Sequence, residues 1–133
     1  MLTMIVMLTL YGFTDNSPHN SAVIAKPVVH EIATEDVGDY EHPITMASSS
    51  HFAFGTKFYI PRLQKYAVIE DRCGACERDT KTGKVRLDLF VGPSSLPIDR
   101  VALRKCQFAL TSNQEPVIIN PDAGLLVSET RLC

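Results

Sequence analysis

Along much of this chain apolar and polar residues alternate in short runs, and runs of that period and length predict β-strands. The clearest is 85–91, where Val85, Leu87, Leu89 and Val91 share one face and Arg86, Asp88 and Phe90 the other. Thr3 to Phe13, rich in β-branched and aromatic residues, predicts a long strand that closes the sheet and ends at the turn formers 14–18. A second strand is predicted within Ala22 to Ile32, bent at Pro27, followed by a solvated loop over 33–43. Strands follow at 44–47 and 55–60, the latter returning through a hairpin as 66–71. The basic, polar stretch 77–84 reads as a loop that turns at Thr82 and Gly83. One helix is predicted, 97–109, with Ile98, Val101, Ala102, Cys106 and Ala109 near one stripe, Ser94 or Ser95 as its cap and Pro97 in its first turn. Two short strands, 117–119 and 125–127, flank a turn at 120–124. Seven or eight strands with one short helix favour an all-β closed barrel over an α/β layer fold.

At 133 residues, with 45% hydrophobic and 21% charged content, the chain reads as a single globular domain, 1–133. Its net charge of −2 argues against nucleic acid and against a membrane surface as partners. Residues 1–13 are apolar but lack a basic leader and a small-residue cleavage site, and they are too short to cross a bilayer as a helix. The expectation is a secreted, monomeric protein whose export signal has been removed. Four cysteines, Cys73, Cys76, Cys106 and Cys133, fit two disulfides of an oxidising compartment. Four cysteines allow three connectivities, and the expected pairing, met by two of them, joins the Cys73/Cys76 pair to Cys106 by one bond and to Cys133 by the other. Zinc would need a second closely spaced ligand pair, and a Cys-x-x-Cys redox motif normally opens a helix in a parallel βαβ setting, which the pattern does not supply. No metal and no cofactor are expected.

Two of the predicted strands carry an aspartate, Asp71 at a strand end and Asp88 within a strand body. Aspartate is a poor strand former and is costly to bury unpaired. Each such acid either braces the backbone or takes part in chemistry.

The run Gly55 to Pro61 (Gly-Thr-Lys-Phe-Tyr-Ile-Pro), then Asp71, then Arg86 to Gly92, with 44–47 as lead-in strand, resembles the three-aspartate branch of the double-psi β-barrels. Leu8 to Gly12 followed by Asp15 and Asn16 is similar to the first strand of barwin-like and expansin-like barrels and of small secreted microbial double-psi proteins, a group that includes a papain inhibitor. The resemblance implies a six-stranded double-psi β-barrel with extra strands and one short helix. Ser48 stands where the branch has its first aspartate, and Arg86-Leu-Asp88 stands where wall-lytic and expansin relatives show His-Phe-Asp. There is no Trp, so a sugar-stacking platform has to come from Tyr11, Tyr59, Tyr66 or Phe90.

Three functions are therefore expected in turn. The first is binding of an extracellular ligand, most plausibly cell-wall polysaccharide, in a groove lined by Tyr11, Asp15, Tyr59, Asp71, Arg86 and Asp88. The second is inhibition of a papain-like cysteine protease through the loop 33–43. The third is glycan cleavage with Asp88 as general acid, Asp15 as a candidate second carboxylate, and Asp71 either orienting Asp88 or taking that second role itself. Arg86, two residues away on the same face, would favour the ionised form of Asp88 and so opposes the third.

Overall fold

The computed structural model describes residues 2–133. Six strands, β1 (Leu2–Tyr11), β2 (Ile44–Ser48), β3 (Lys57–Ile60), β4 (Lys65–Arg72), β5 (Arg86–Phe90) and β6 (Ser112–Ile119), form a closed barrel. The ring order is β1-β5-β2-β4-β3-β6. β1 runs parallel to β5 and β2 parallel to β4, and the other four pairings are antiparallel. Alternation sets the two faces. Val6, Leu8 and Leu10 of β1, Met46 of β2, Phe58 and Ile60 of β3, Ile69 of β4, and Leu87 and Leu89 of β5 fill the interior. The odd-numbered partners on β1 and the even-numbered ones on β5 point outward, where Tyr11 and Phe90 join a second apolar cluster with Ala22, Ile24, Ala33 and Ala47.

Two helices lie outside the barrel: α1 (Gly74–Thr80) and α2 (Arg100–Leu110). α1 replaces the first half of the loop predicted for 77–84. It has no apolar stripe to announce it; its signal is the cap, since Cys73 Sγ accepts the Cys76 N–H at 3.0 Å and Glu77 sits in the first turn. α2 begins three residues later than predicted, because Asp99 rather than a serine is its cap and accepts the Ala102 N–H at 3.0 Å. Ser94 instead donates to the Ala33 carbonyl at 2.6 Å.

No strand forms within 22–32 or 125–127. In the first of these, Pro27 lacks a donor and the N–H groups of Val28, Val29 and His30 all turn to one carboxylate, Glu70, at 3.1–3.3 Å. The second is held by tyrosine hydroxyls: Tyr59 donates to the Leu126 carbonyl at 2.6 Å, and Tyr66 accepts the Leu125 N–H at 3.0 Å.

The disulfides also differ from the expected pairing. Cys73 joins Cys76 and Cys106 joins Cys133, leaving no free cysteine among the described residues. The folded chain puts Cys73 and Cys76 at the start of α1, with Cα atoms 5.0 Å apart, and it brings the last residue against α2. Glu35 supports that arrangement by accepting the N–H groups of Leu132 and Cys133 at 2.7 and 3.2 Å.

The two bonds close loops of very different length, with sequence separations of 3 and 27. Loop-closure entropy then predicts that replacing both Cys106 and Cys133 by Ser costs about 3 to 4 kcal/mol, and the Cys73/Cys76 pair about half of that. Urea unfolding of the two double variants checks the order; an equal or reversed cost contradicts it.

Candidate functional site

The candidate site lies on the outer face of β1, β5 and β2. Register brings its members together. Asp88 pairs with Thr9 on one side and Ala47 on the other, and Ala47 in turn pairs with Asp71 across β2 and β4. The two acids therefore stand level, with their backbones two strand spacings or about 10 Å apart. A bulge allows this. Met46 pairs with Ile69 and Ala47 with Asp71, so Glu70 is the extra residue on β4 and the inward-outward order shifts there.

Asp71 is 7% exposed. Its carboxylate accepts the Tyr11 hydroxyl at 2.8 Å, the Ala25 N–H at 3.0 Å and the Arg72 N–H at 2.9 Å. Burial pushes its pKa up against those three hydrogen bonds, and the net direction is upward. This is the geometry of a brace that ties the β1–β2 connection to the barrel.

Asp88 is held more loosely and remains partly exposed. One hydroxyl, Thr9 Oγ1, donates to it at 3.0 Å. Arg86 acts at one remove: its Nε donates to Thr9 Oγ1 at 3.1 Å, while its guanidinium turns to Asp79 on α1 at 3.6 Å. Burial dominates, Thr9 and Arg86 pull the other way, and the charges of Asp15 and Asp71 add to the rise, so the carboxyl is pushed up to about 6. The expected acidifying effect of Arg86 is present but is outweighed.

The other predicted members divide. Tyr11 is 6% exposed, with its ring edge-on to Phe90 at 5.3 Å and its hydroxyl on Asp71. It is a wall of the site rather than an open stacking surface. Burial, reinforced by Asp71, lifts its pKa well above the usual phenol range. Asp15 ends a single 3-10 turn, Phe13–Asp15, directly after β1 and accepts the Gly12 N–H at 2.6 Å. Tyr59 is not brought to the site. It lies on β3, three places from β5 in the six-stranded ring and so across the barrel, and is also 6% exposed.

Thr9 and Ala47 carry no signal that sequence reasoning could use, because only register makes them neighbours of Asp88. Glu70 had such a signal, a third acid in an apolar strand. It is fully buried and accepts five hydrogen bonds: three from the backbone of 28–30, one from Thr45 Oγ1 at 2.6 Å and one from His30 Nδ1 at 2.6 Å. Burial raises its pKa, and the bonds from Thr45 and His30 more than offset this, so the group is held below the usual carboxylate range. His30 also donates to Asp36 at 2.9 Å; burial lowers its pKa, the two carboxylates raise it, and they prevail. The loop 33–43 is anchored at its start, where buried Glu35 accepts the Gly92 N–H at 2.8 Å.

Residues 3–133 match the family described as the DDB_G0273701 N-terminal domain. The chain belongs to that family. It is 35% identical over 125 residues to the uncharacterised protein DDB_G0273701/DDB_G0273221 of Dictyostelium discoideum, a match that covers 92% of this chain and 53% of that protein. The chain thus spans about half the length of this relative. No solved structure matches it.

An acid whose pKa is raised on folding stabilises the fold while protonated, and that contribution is lost as pH rises from about 4 through about 6. Asp88→Asn is therefore expected to raise stability at pH 7 by about 1 to 2 kcal/mol and to change it little at pH 4. Denaturant midpoints at the two pH values check this; a variant less stable than the parent at pH 7 would show Asp88 to be a brace like Asp71.

Proposed function

We propose that this domain is a secreted double-psi β-barrel that binds extracellular polysaccharide across the outer face of β1, β5 and β2, with Asp88 as its polar centre. The observation that carries the reading is Asp88 itself: a partly exposed acid on an apolar strand, held by one side-chain hydroxyl and costly to keep ionised. An acid kept at a cost to stability is a signature of a working site. Its free lone pairs suit sugar hydroxyls, which bind carboxylates through charge-assisted hydrogen bonds. Phe13, partly exposed at the rim of the outer apolar cluster beside Asp15, offers an aromatic face for a sugar ring.

The barrel type is supported by symmetry. Exchanging β1 with β4, β5 with β2 and β6 with β3 returns the same ring with both parallel pairs preserved, as two interlocked psi units require. Two disulfides in a chain of this size support an extracellular setting.

A second reading, cleavage of the bound glycan, is favoured by the same acid. A carboxyl near 6 is protonated often enough at mildly acidic pH to donate to a leaving oxygen, and Asp15 is the candidate second carboxylate.

Pull-down with insoluble glucan, chitin and peptidoglycan tests the binding reading. Retention on at least one, weakened about tenfold in Asp88→Asn, is expected; retention on none overturns it. Reducing-sugar release from the retaining polymer tests cleavage. If it occurs, the rate should fall as pH rises through about 6, where Asp88 loses the proton it must donate, and absence of release at pH 5 removes the enzyme reading for that polymer.

A further inference from the structure

A cleft of about 180 Å³ opens where the end of β1 meets α2. It is lined by Asp15 and His19 from the segment after β1 and by Arg100, Arg104 and Gln107 from α2, with Leu103 at its base. Three observations mark it as built for an anion. First, α2 carries Arg100, Arg104 and Lys105 and no acid between Arg100 and Leu110, although the whole chain has a net charge of −2. Second, neither arginine of the cleft is paired with a carboxylate among the described residues. Arg100 reaches only the Asn20 side-chain oxygen, at 3.4 Å, and Arg104 lies 5.7 Å from the centre of the Phe108 ring. Third, Gln107 Nε2 is buried without a hydrogen-bond partner, the one such side-chain atom among the described residues. An unmet buried donor costs about 1 to 3 kcal/mol and calls for an acceptor. The nitrogen lies close against Gly12, where a Cβ would stand only 3.3 Å from it.

We propose that this cleft is a subsite for a negatively charged sugar unit, the carboxylate of a uronate or a sulfate ester, of the polysaccharide bound at Asp88. The inference rests on the polysaccharide reading above and narrows its substrate to an acidic glycan. Guanidinium forks match planar carboxylates and sulfate oxygens, and a small turn of the Gln107 side chain would give its unmet amide an acceptor there. The cleft is smaller than the 300 Å³ or so of drug-sized pockets, so it takes a single sugar unit. Asp15 belongs to the cleft wall and its charge is felt by Asp88, so the cleft lies within electrostatic reach of the face of β5.

Titration calorimetry with trigalacturonate, a sulfated oligosaccharide and cellotriose tests it, the first two separating a carboxylate from a sulfate ester. The parent should bind at least one acidic sugar about tenfold or more tighter than the neutral one, and Arg104→Gln should weaken that sugar about tenfold with the neutral one unchanged. Both arginines are exposed, so the variants are expected to fold. Lys105→Gln removes the same charge from the same helix outside the cleft and should change affinity by less than about twofold. Equal losses in Arg104→Gln and Lys105→Gln would show diffuse attraction and overturn the subsite. Equal binding of acidic and neutral sugars, or binding of none of the three, overturns the subsite alone; the polysaccharide reading falls only with the loss of retention on glucan, chitin and peptidoglycan.

Discussion

An ionised carboxylate inside a barrel strand has to be compensated where it stands, and the structure around β4 follows from how Glu70 and Asp71 meet that requirement. Between them they accept eight hydrogen bonds, five of them from backbone N–H groups. Four of those N–H groups belong to residues 25–30, which have no sheet or helix of their own. Backbone donors of a segment laid against the barrel need partners, and here two adjacent acids supply what a ladder would otherwise provide. The β1–β2 connection is thus bound to the barrel by side chains. The bulge at Glu70 is what lets two neighbouring acids both serve it, one taking 28–30 and the other Ala25.

That connection in turn shapes the outer face of the barrel around Asp88. Ala22, Ile24 and Ala33 close over Tyr11, Phe90 and Ala47, drying the ground next to Asp88. A carboxyl at the edge of that apolar cover loses hydration, while its one hydroxyl partner recovers little of it. Asp71 has almost the same surroundings and its pKa is raised as well, but three donors converge on it and fix it in place. The contrast between the two acids is a matter of how many N–H and O–H groups are aimed at each, and it assigns them different work.

The strands were legible where alternation was clean: 85–91 placed Leu87, Leu89 and Val91 in the core and Asp88 on the other face, as the period of two requires. The strands at 44–47, 55–60 and 66–71 fell within a residue or two of β2, β3 and β4. Segment 22–32 misled because Val23, Ile24, Val28 and Val29 carry strand propensity, while the N–H groups of Val28 and Val29 go to an acid some 40 residues away. α1 escaped because seven residues with one buried side chain have no periodicity to read. The disulfide pairing was out of reach for a similar reason: it depends on where α2 and the last residues meet, which is a property of the closed ring. Of the site, the aspartates were legible as anomalies of composition. Tyr59 was placed with them on residue type alone, and the ring order separates them.

The position of α2 extends the argument from one residue to a surface. It follows β5 through Gly92, whose positive φ and close approach to Leu103, 2.8 Å from where a Cβ would stand, let the helix settle against the end of β1. Packing on Leu103 leaves Arg100 and Arg104 turned away from the core and over the turn that carries Asp15. Two arginines of a chain with a slight negative net charge thereby stand beside Asp15. Opposite charges so close would ordinarily pair, yet Arg100 and Arg104 make no ion pair and Asp15 is occupied by the Gly12 N–H. Fixed donors and acceptors left free on adjoining ground are what recognition of a molecule carrying both hydroxyls and negative charge requires.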